Sequence, residues 1–154
     1  IALSAEMGIR MSGGSEDLVP PLRRFGEKVG IAFQLVDDVI DLSDRGAGTG
    51  KPPGTDVRRG VTTLPMLYLE QRASSDAEAA ELLGRLHLGT QGEATEEQFH
   101  QAIQDLREHD VTAATMAKAR DMADDAIAEL SPVPAGIVRD ALTRFAHQIV
   151  ERSY

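Results

Sequence analysis

Between Pro21 and Ser43 the apolar residues Phe25, Val29, Phe33, Val36 and Ile40 recur every three or four positions. That spacing lays one apolar stripe along an α-helix and cannot be read as the alternation of a half-buried strand. The rest of the chain agrees. Aromatic residues are 4% of the sequence, and no stretch of β-branched residues alternates for long. The expected fold is all-α.

Helix signals punctuate the chain. Ile1, Leu3, Met7 and Met11 fall at helical spacing, and Gly13-Gly14 supply a stop. Pro20 and Pro21 suit the opening turn of the second helix, where a missing N–H costs little. Gly26 and Gly30, one turn apart, would let another helix pack closely. Residues 45–60 (RGAGTGKPPGTDVRRG) hold five glycines and two prolines, which predicts a loop without regular structure. A loop this long in a compact domain is functional or disordered as a rule. Helix resumes near Thr62. Ser75 with Glu78, and Thr95 with Gln98, read as capping boxes. Two more helices follow, Val111–Leu130 and about Ala135–Arg152, separated by Ser131-Pro132-Val133-Pro134. There is no internal repeat, and residues 1–154 read as a single all-α unit.

The 154 residues suffice for one core, and the net charge of -9 excludes the basic face of a nucleic-acid binder. No apolar run approaches the roughly 18 residues of a membrane span. The absence of cysteine and of a signal peptide fits a cytoplasmic setting. The first residue is Ile, and the chain begins inside a helical pattern. Both point to the C-terminal part of a longer protein.

The chemistry concentrates at Asp37, Asp38 and Asp41. On a helix these three carboxylates share about one turn, roughly 5.4 Å of axis, where they repel one another. A solvated acidic face is the plain alternative, but this helix is a core helix. Oxygen ligands with no nearby His or Cys favour magnesium over zinc, with phosphate oxygens completing its coordination. Phe33-Gln34 sits one turn earlier and places a neutral hydrogen-bonding group beside the acidic face. The loop that follows carries Gly50-Lys51 and Gly54-Thr55-Asp56, and Lys51 is suited to grip a diphosphate as a point charge.

Other motifs carry less. Gly46–Lys51 lacks both the first glycine and the Ser/Thr of a P-loop. Glu97 with His100 is one Glu-x-x-His pair where a di-iron bundle needs two. Asp124-Asp125 reads as a solvated face.

The stretch G-x-x-F-Q-x-x-D-D-x-x-D (Gly30–Asp41), then G-K-P-P-G-T-D (Gly50–Asp56), then T-L-P (Thr63–Pro65), resembles the second aspartate-rich region of the trans-isoprenyl diphosphate synthases, the polyprenyl synthetases. The resemblance covers the whole chain but about half of a family member. It implies an isoprenoid synthase-type helical bundle and a homodimer. It also implies a Mg2+-dependent prenyltransferase that joins an allylic prenyl diphosphate to isopentenyl diphosphate head to tail. By position, Asp37, Asp38 and Asp41 would hold metal, and Asp56 would accept from metal-bound water. Lys51 would grip the allylic diphosphate, and Gln34, next to Phe33, would face the allylic carbon. Two departures stand out. Val61 replaces a family lysine, whose charge Arg58 or Arg59 would have to supply. The first aspartate-rich motif and the basic residues with it are absent, so these residues alone should not catalyse. The rival readings are a noncatalytic partner subunit or relic of the same fold and, last, a terpene cyclase.

Overall fold

The structure, a computed structural model, describes residues 1–43 and 52–152. Every regular element among them is helical: α1 (Ala2–Met11), a 3-10 turn (Glu16–Leu18), α2 (Val19–Asp41), α3 (Thr55–Arg58), α4 (Leu64–Ala73), α5 (Ala77–Gln91), α6 (Glu96–Glu108), α7 (Asp110–Glu129) and α8 (Ile137–Val150). The residues group into two compact units, one of 1–36 with 117–152 and one of 37–116.

The stripe on α2 is sharper than its apolar residues suggest. Full burial falls on Phe25, Val29, Ala32, Val36 and Val39, a strict three-four repeat. That repeat is the seam a helix presents to packed neighbours. Phe33 and Ile40 lie one position off the seam and are only half-buried. Ala32 and Val39 take the places expected for them.

In the first unit, Gly26 confirms the close approach expected of it. A Cβ there would lie 2.7 Å from Ala2 Cα, so only hydrogen lets the start of α1 sit against this turn. At Gly30 the nearest atom would be 3.9 Å away, which is ordinary contact and needs no glycine. Glu129 of α7 holds α2 through Lys28 and Arg24, each at 2.8 Å. On α7, Met116 of the second unit is buried and Met122 of the first is half-buried.

The second unit packs α3 to α6 around Leu42, Val57, Leu69, Leu82, Leu86, Phe99, Ile103 and Leu106. Two expectations need correction here. The segment 45–60 contains a helical turn, α3, because Gly54 takes φ +69° and redirects the chain while Val57 reaches the core. The cap of α5 is Asp76, not Ser75: its Oδ1 accepts the Glu78 and Ala79 N–H groups at 3.0 and 3.3 Å. The Thr95 box stands as expected. Thr95 Oγ1 accepts the Gln98 N–H and Gln98 Oε1 accepts the Thr95 N–H.

Candidate active site

The last turn of α2 brings Asp37, Asp38 and Asp41 into the second unit beside α3 and the start of α4. Each carboxylate has a different environment. Asp37 is exposed and accepts no hydrogen bond from a described residue. Asp38 is half-buried, and its Oδ2 accepts the Leu64 N–H at 3.3 Å. Asp41 is half-buried as well. Its Oδ2 accepts the Asp56 N–H at 2.9 Å, and its backbone carbonyl accepts the Gly54 N–H at 2.7 Å. Asp56 stands on the first turn of α3, and its carboxylate acts on those of Asp38 and Asp41.

Burial pushes the Asp38 and Asp41 carboxyls above the usual carboxylate range, because water that would solvate the charge is displaced. The amides of Leu64 and Asp56 pull the other way. The neighbouring carboxylates push further up: Asp56 acts on both, joined by Asp37 and, at Asp38, by Asp41. Among the described residues no Arg, Lys or His pairs with any of the four. Four mutually repelling carboxylates without a cation are an arrangement that a hard divalent ion would relieve. No three of them converge tightly enough to hold a metal ion by themselves among the described residues.

The candidate cations separate. Arg58 is committed: its Nε donates to the Pro53 carbonyl at 3.0 Å and its Nη1 to Glu96 Oε2 at 3.0 Å, and the guanidinium lies 4.8 Å from the Phe99 ring centroid. Arg59 is exposed and pairs with no described residue. Lys51 lies outside the described residues. Gln34, one turn before Asp37 and Asp38, is exposed.

Two features escaped the sequence reading. The Thr63 hydroxyl, beside the amide held by Asp38, is buried with no hydrogen-bond partner among the described residues. In the first unit, the Arg152 guanidinium lies 5.3 Å from the Phe33 ring centroid, at a cavity of about 280 Å³ lined also by Ile149 and Phe145. Nothing local in the sequence couples positions so far apart; only the half-buried, off-seam placement of Phe33 gives a hint.

The described residues form a helical chain whose core helix ends in three carboxylates, and comparison with known proteins says which class of protein this is. The polyprenyl synthetase family profile matches residues 1–106, and the chain belongs to that family. It is 31% identical over 154 residues to the heptaprenyl diphosphate synthase component 2 of Bacillus subtilis (strain 168), spanning 100% of this chain and 42% of that protein. With the nonaprenyl diphosphate synthase of Mycobacterium tuberculosis it shares 45% identity over 76 residues, 49% of this chain and 23% of that one. Among solved structures, a polyprenyl synthase from Caulobacter crescentus CB15, complexed with calcium and isoprenyl diphosphate, superposes with a TM-score of 0.82 at 34% identity, over 98% of this chain and 45% of that one. The chain thus spans less than half the length of these relatives. The fold is the all-α isoprenoid synthase bundle expected.

Proposed function

We propose that this chain is the C-terminal, metal-binding half of a trans-prenyltransferase. The whole protein condenses an allylic prenyl diphosphate with isopentenyl diphosphate and releases diphosphate. The observation that carries the reading is the set Asp37, Asp38, Asp41 and Asp56, which no cation among the described residues compensates. The calcium and isoprenyl diphosphate in the Caulobacter relative support a divalent cation and a prenyl diphosphate as the ligands.

In this reaction the allylic C–O bond breaks, the double bond of isopentenyl diphosphate attacks the allylic carbon, and a proton leaves the lengthened chain. Magnesium, when bound, supplies positive charge to the departing diphosphate. The chain's own residues do the rest. Asp37, solvated and unpartnered, presents carboxylate oxygens to the ion, and Asp56 faces the same space. Behind them, Asp38 accepts the Leu64 amide and Asp41 the Asp56 amide. Lys51 grips the allylic diphosphate, and Arg59 supplies the second positive charge that Val61 lacks. The amide oxygen of Gln34 favours positive charge developing at the allylic carbon, and Phe33 contributes apolar contact to the prenyl chain. A second copy completes a homodimer. Among the described residues, no helix is long and apolar enough to cross a membrane.

The test uses the complete polypeptide, labelled isopentenyl diphosphate and an allylic diphosphate. Prenyl transfer is expected with magnesium and abolished by a chelator. Asp37→Ala should lower turnover by about 10²-fold or more, the scale of removing one transition-state stabiliser, with the helical circular-dichroism signal unchanged. Near-normal turnover in Asp37→Ala would sink the metal-site reading. No turnover in the parent protein would favour a noncatalytic subunit.

A further inference from the structure

Both α3 and α4 begin without a side-chain cap of their own. Gly54 precedes α3 and has no side chain to offer, and the Thr63 side chain makes no cap hydrogen bond at the start of α4. The first N–H groups of a helix have no partner inside it, and an external acceptor there stabilises the helix. The last turn of α2 supplies the acceptors. Asp41 Oδ2 takes the Asp56 N–H, and the Asp41 carbonyl takes the Gly54 N–H. Asp38 Oδ2 takes the Leu64 N–H. Asp37, on the same turn, does none of this.

We propose that the D-D-x-x-D run divides its labour. Asp37 faces outward to the ion, whereas Asp38 and Asp41 are positioning residues that hold the first turns of α4 and α3 and so fix where Asp56 stands. The magnesium consequence rests on the function proposed above; the tethers do not. α3 has four residues and little else to anchor its first turn. Its far end is tied to α6, where Arg58 Nη1 donates to Glu96 Oε2; its other bonds point back along the chain, Thr55 Oγ1 donating to the Pro52 carbonyl and Arg58 Nε to the Pro53 carbonyl. They hold the segment 52–58 to itself, while Asp41 holds it to α2. Asp41 therefore sets the placement of Asp56 relative to Asp37.

Asn and Ala at position 41 separate a tether from a ligand. Asp41→Asn keeps an oxygen of the same reach that accepts amide hydrogen bonds, and Asp41→Ala keeps none. Hydrogen exchange at the Asp56 amide reads the tether without any activity. The magnesium concentration giving half-maximal turnover in the complete polypeptide reads its consequence. Asp41→Ala should speed exchange at the Asp56 amide about tenfold, and raise the magnesium midpoint about tenfold, the size of a lost helix cap. Asp41→Asn should stay within about threefold of the parent in both. Asp38→Ala and Asp38→Asn should give the same contrast at the Leu64 amide. Unchanged exchange in Asp41→Ala overturns the proposal. So does an Asp41→Asn variant whose midpoint moves as far as that of Asp41→Ala, because charge and not the amide bond would then be what matters. If the parent shows no magnesium-dependent turnover, the functional reading falls, and the exchange rates still decide the tether.

Discussion

Gly54 is fixed by two independent constraints. Its φ of +69° is a region that residues with a Cβ enter at a cost, and an added Cβ would stand 2.6 Å from Ile103 Cδ1 in the core of the second unit. Gly54→Ala should destabilise the fold by about 2–4 kcal/mol, read as a lower denaturation midpoint in urea. The two neighbouring arginines should behave differently from one another. Arg58→Ala frees the Pro53 carbonyl, strips a guanidinium from Phe99 and leaves Glu96 unpaired. It should cost about 1–3 kcal/mol of stability. Arg59→Ala should leave the denaturation midpoint nearly unchanged and raise KM for the allylic diphosphate. A loss of stability at Arg59 with no change in KM would remove it from the site. Sequence alone left Arg58 and Arg59 equivalent, because both are loop arginines beside a missing lysine. What separates them is Glu96 and Phe99, which are distant in sequence and reach Arg58 through tertiary packing.

The elements that were legible are those whose signals are local. The three-four stripe of α2 and the Thr95-to-Gln98 box are each written within a few residues; the box stands as expected, and the stripe does at Phe25, Val29 and Val36, while Ala32 and Val39 replace Phe33 and Ile40 on the buried seam. At α5 the reading slipped by one residue, because Ser75 and Asp76 are both cap formers and the carboxylate of Asp76 reaches two amides. The caps of α3 and α4 were illegible for a physical reason: their acceptors stand 15 and 26 residues upstream, on another helix. The same argument runs between α2 and α7, where Lys28 and Arg24 converge on Glu129. Hydrogen bonds from Lys28, then Arg24, hold the Glu129 carboxyl below its ordinary value near 4.5. A carboxylate depressed in the folded state contributes stability above its unfolded pKa and loses it as pH falls through the folded one. The Tm gap between the parent and Glu129→Gln should therefore be present at neutral pH and close progressively below about pH 4.5. A gap of the same size at pH 3 and pH 7 would mean that the clasp acts through packing and not through charge.

At the scale of the molecule, α1 is the element that the rest of the chain does least to bury. No residue of it is fully buried, and Leu3 and Met11 are 71% and 81% exposed. Leu3, Met7 and Met11 lie four apart and share one face of the helix. Single exposed apolar residues are ordinary on a protein surface, but three in register on one helix mark a face made to be covered. The contacts that hold α1 are of another kind: the backbone of Ala2 against Gly26, and the ion pairs of Arg10 with Glu16 and of Arg23 with Glu6. The helical stripe that first identified α1 in the sequence is therefore correct as to helix and silent as to core, since periodicity reports a face and not what covers it. A second copy in the proposed homodimer, or the remainder of the whole protein, gives that face a use. Sedimentation should show the 16.6 kDa chain in species heavier than a monomer. The double substitution Leu3→Gln, Met11→Gln should shift the distribution toward monomer without loss of helical signal, since neither side chain is buried in its own chain. A distribution unmoved by the double substitution would place the association surface elsewhere, and a parent chain that sediments as a monomer would assign the face to another part of the whole protein.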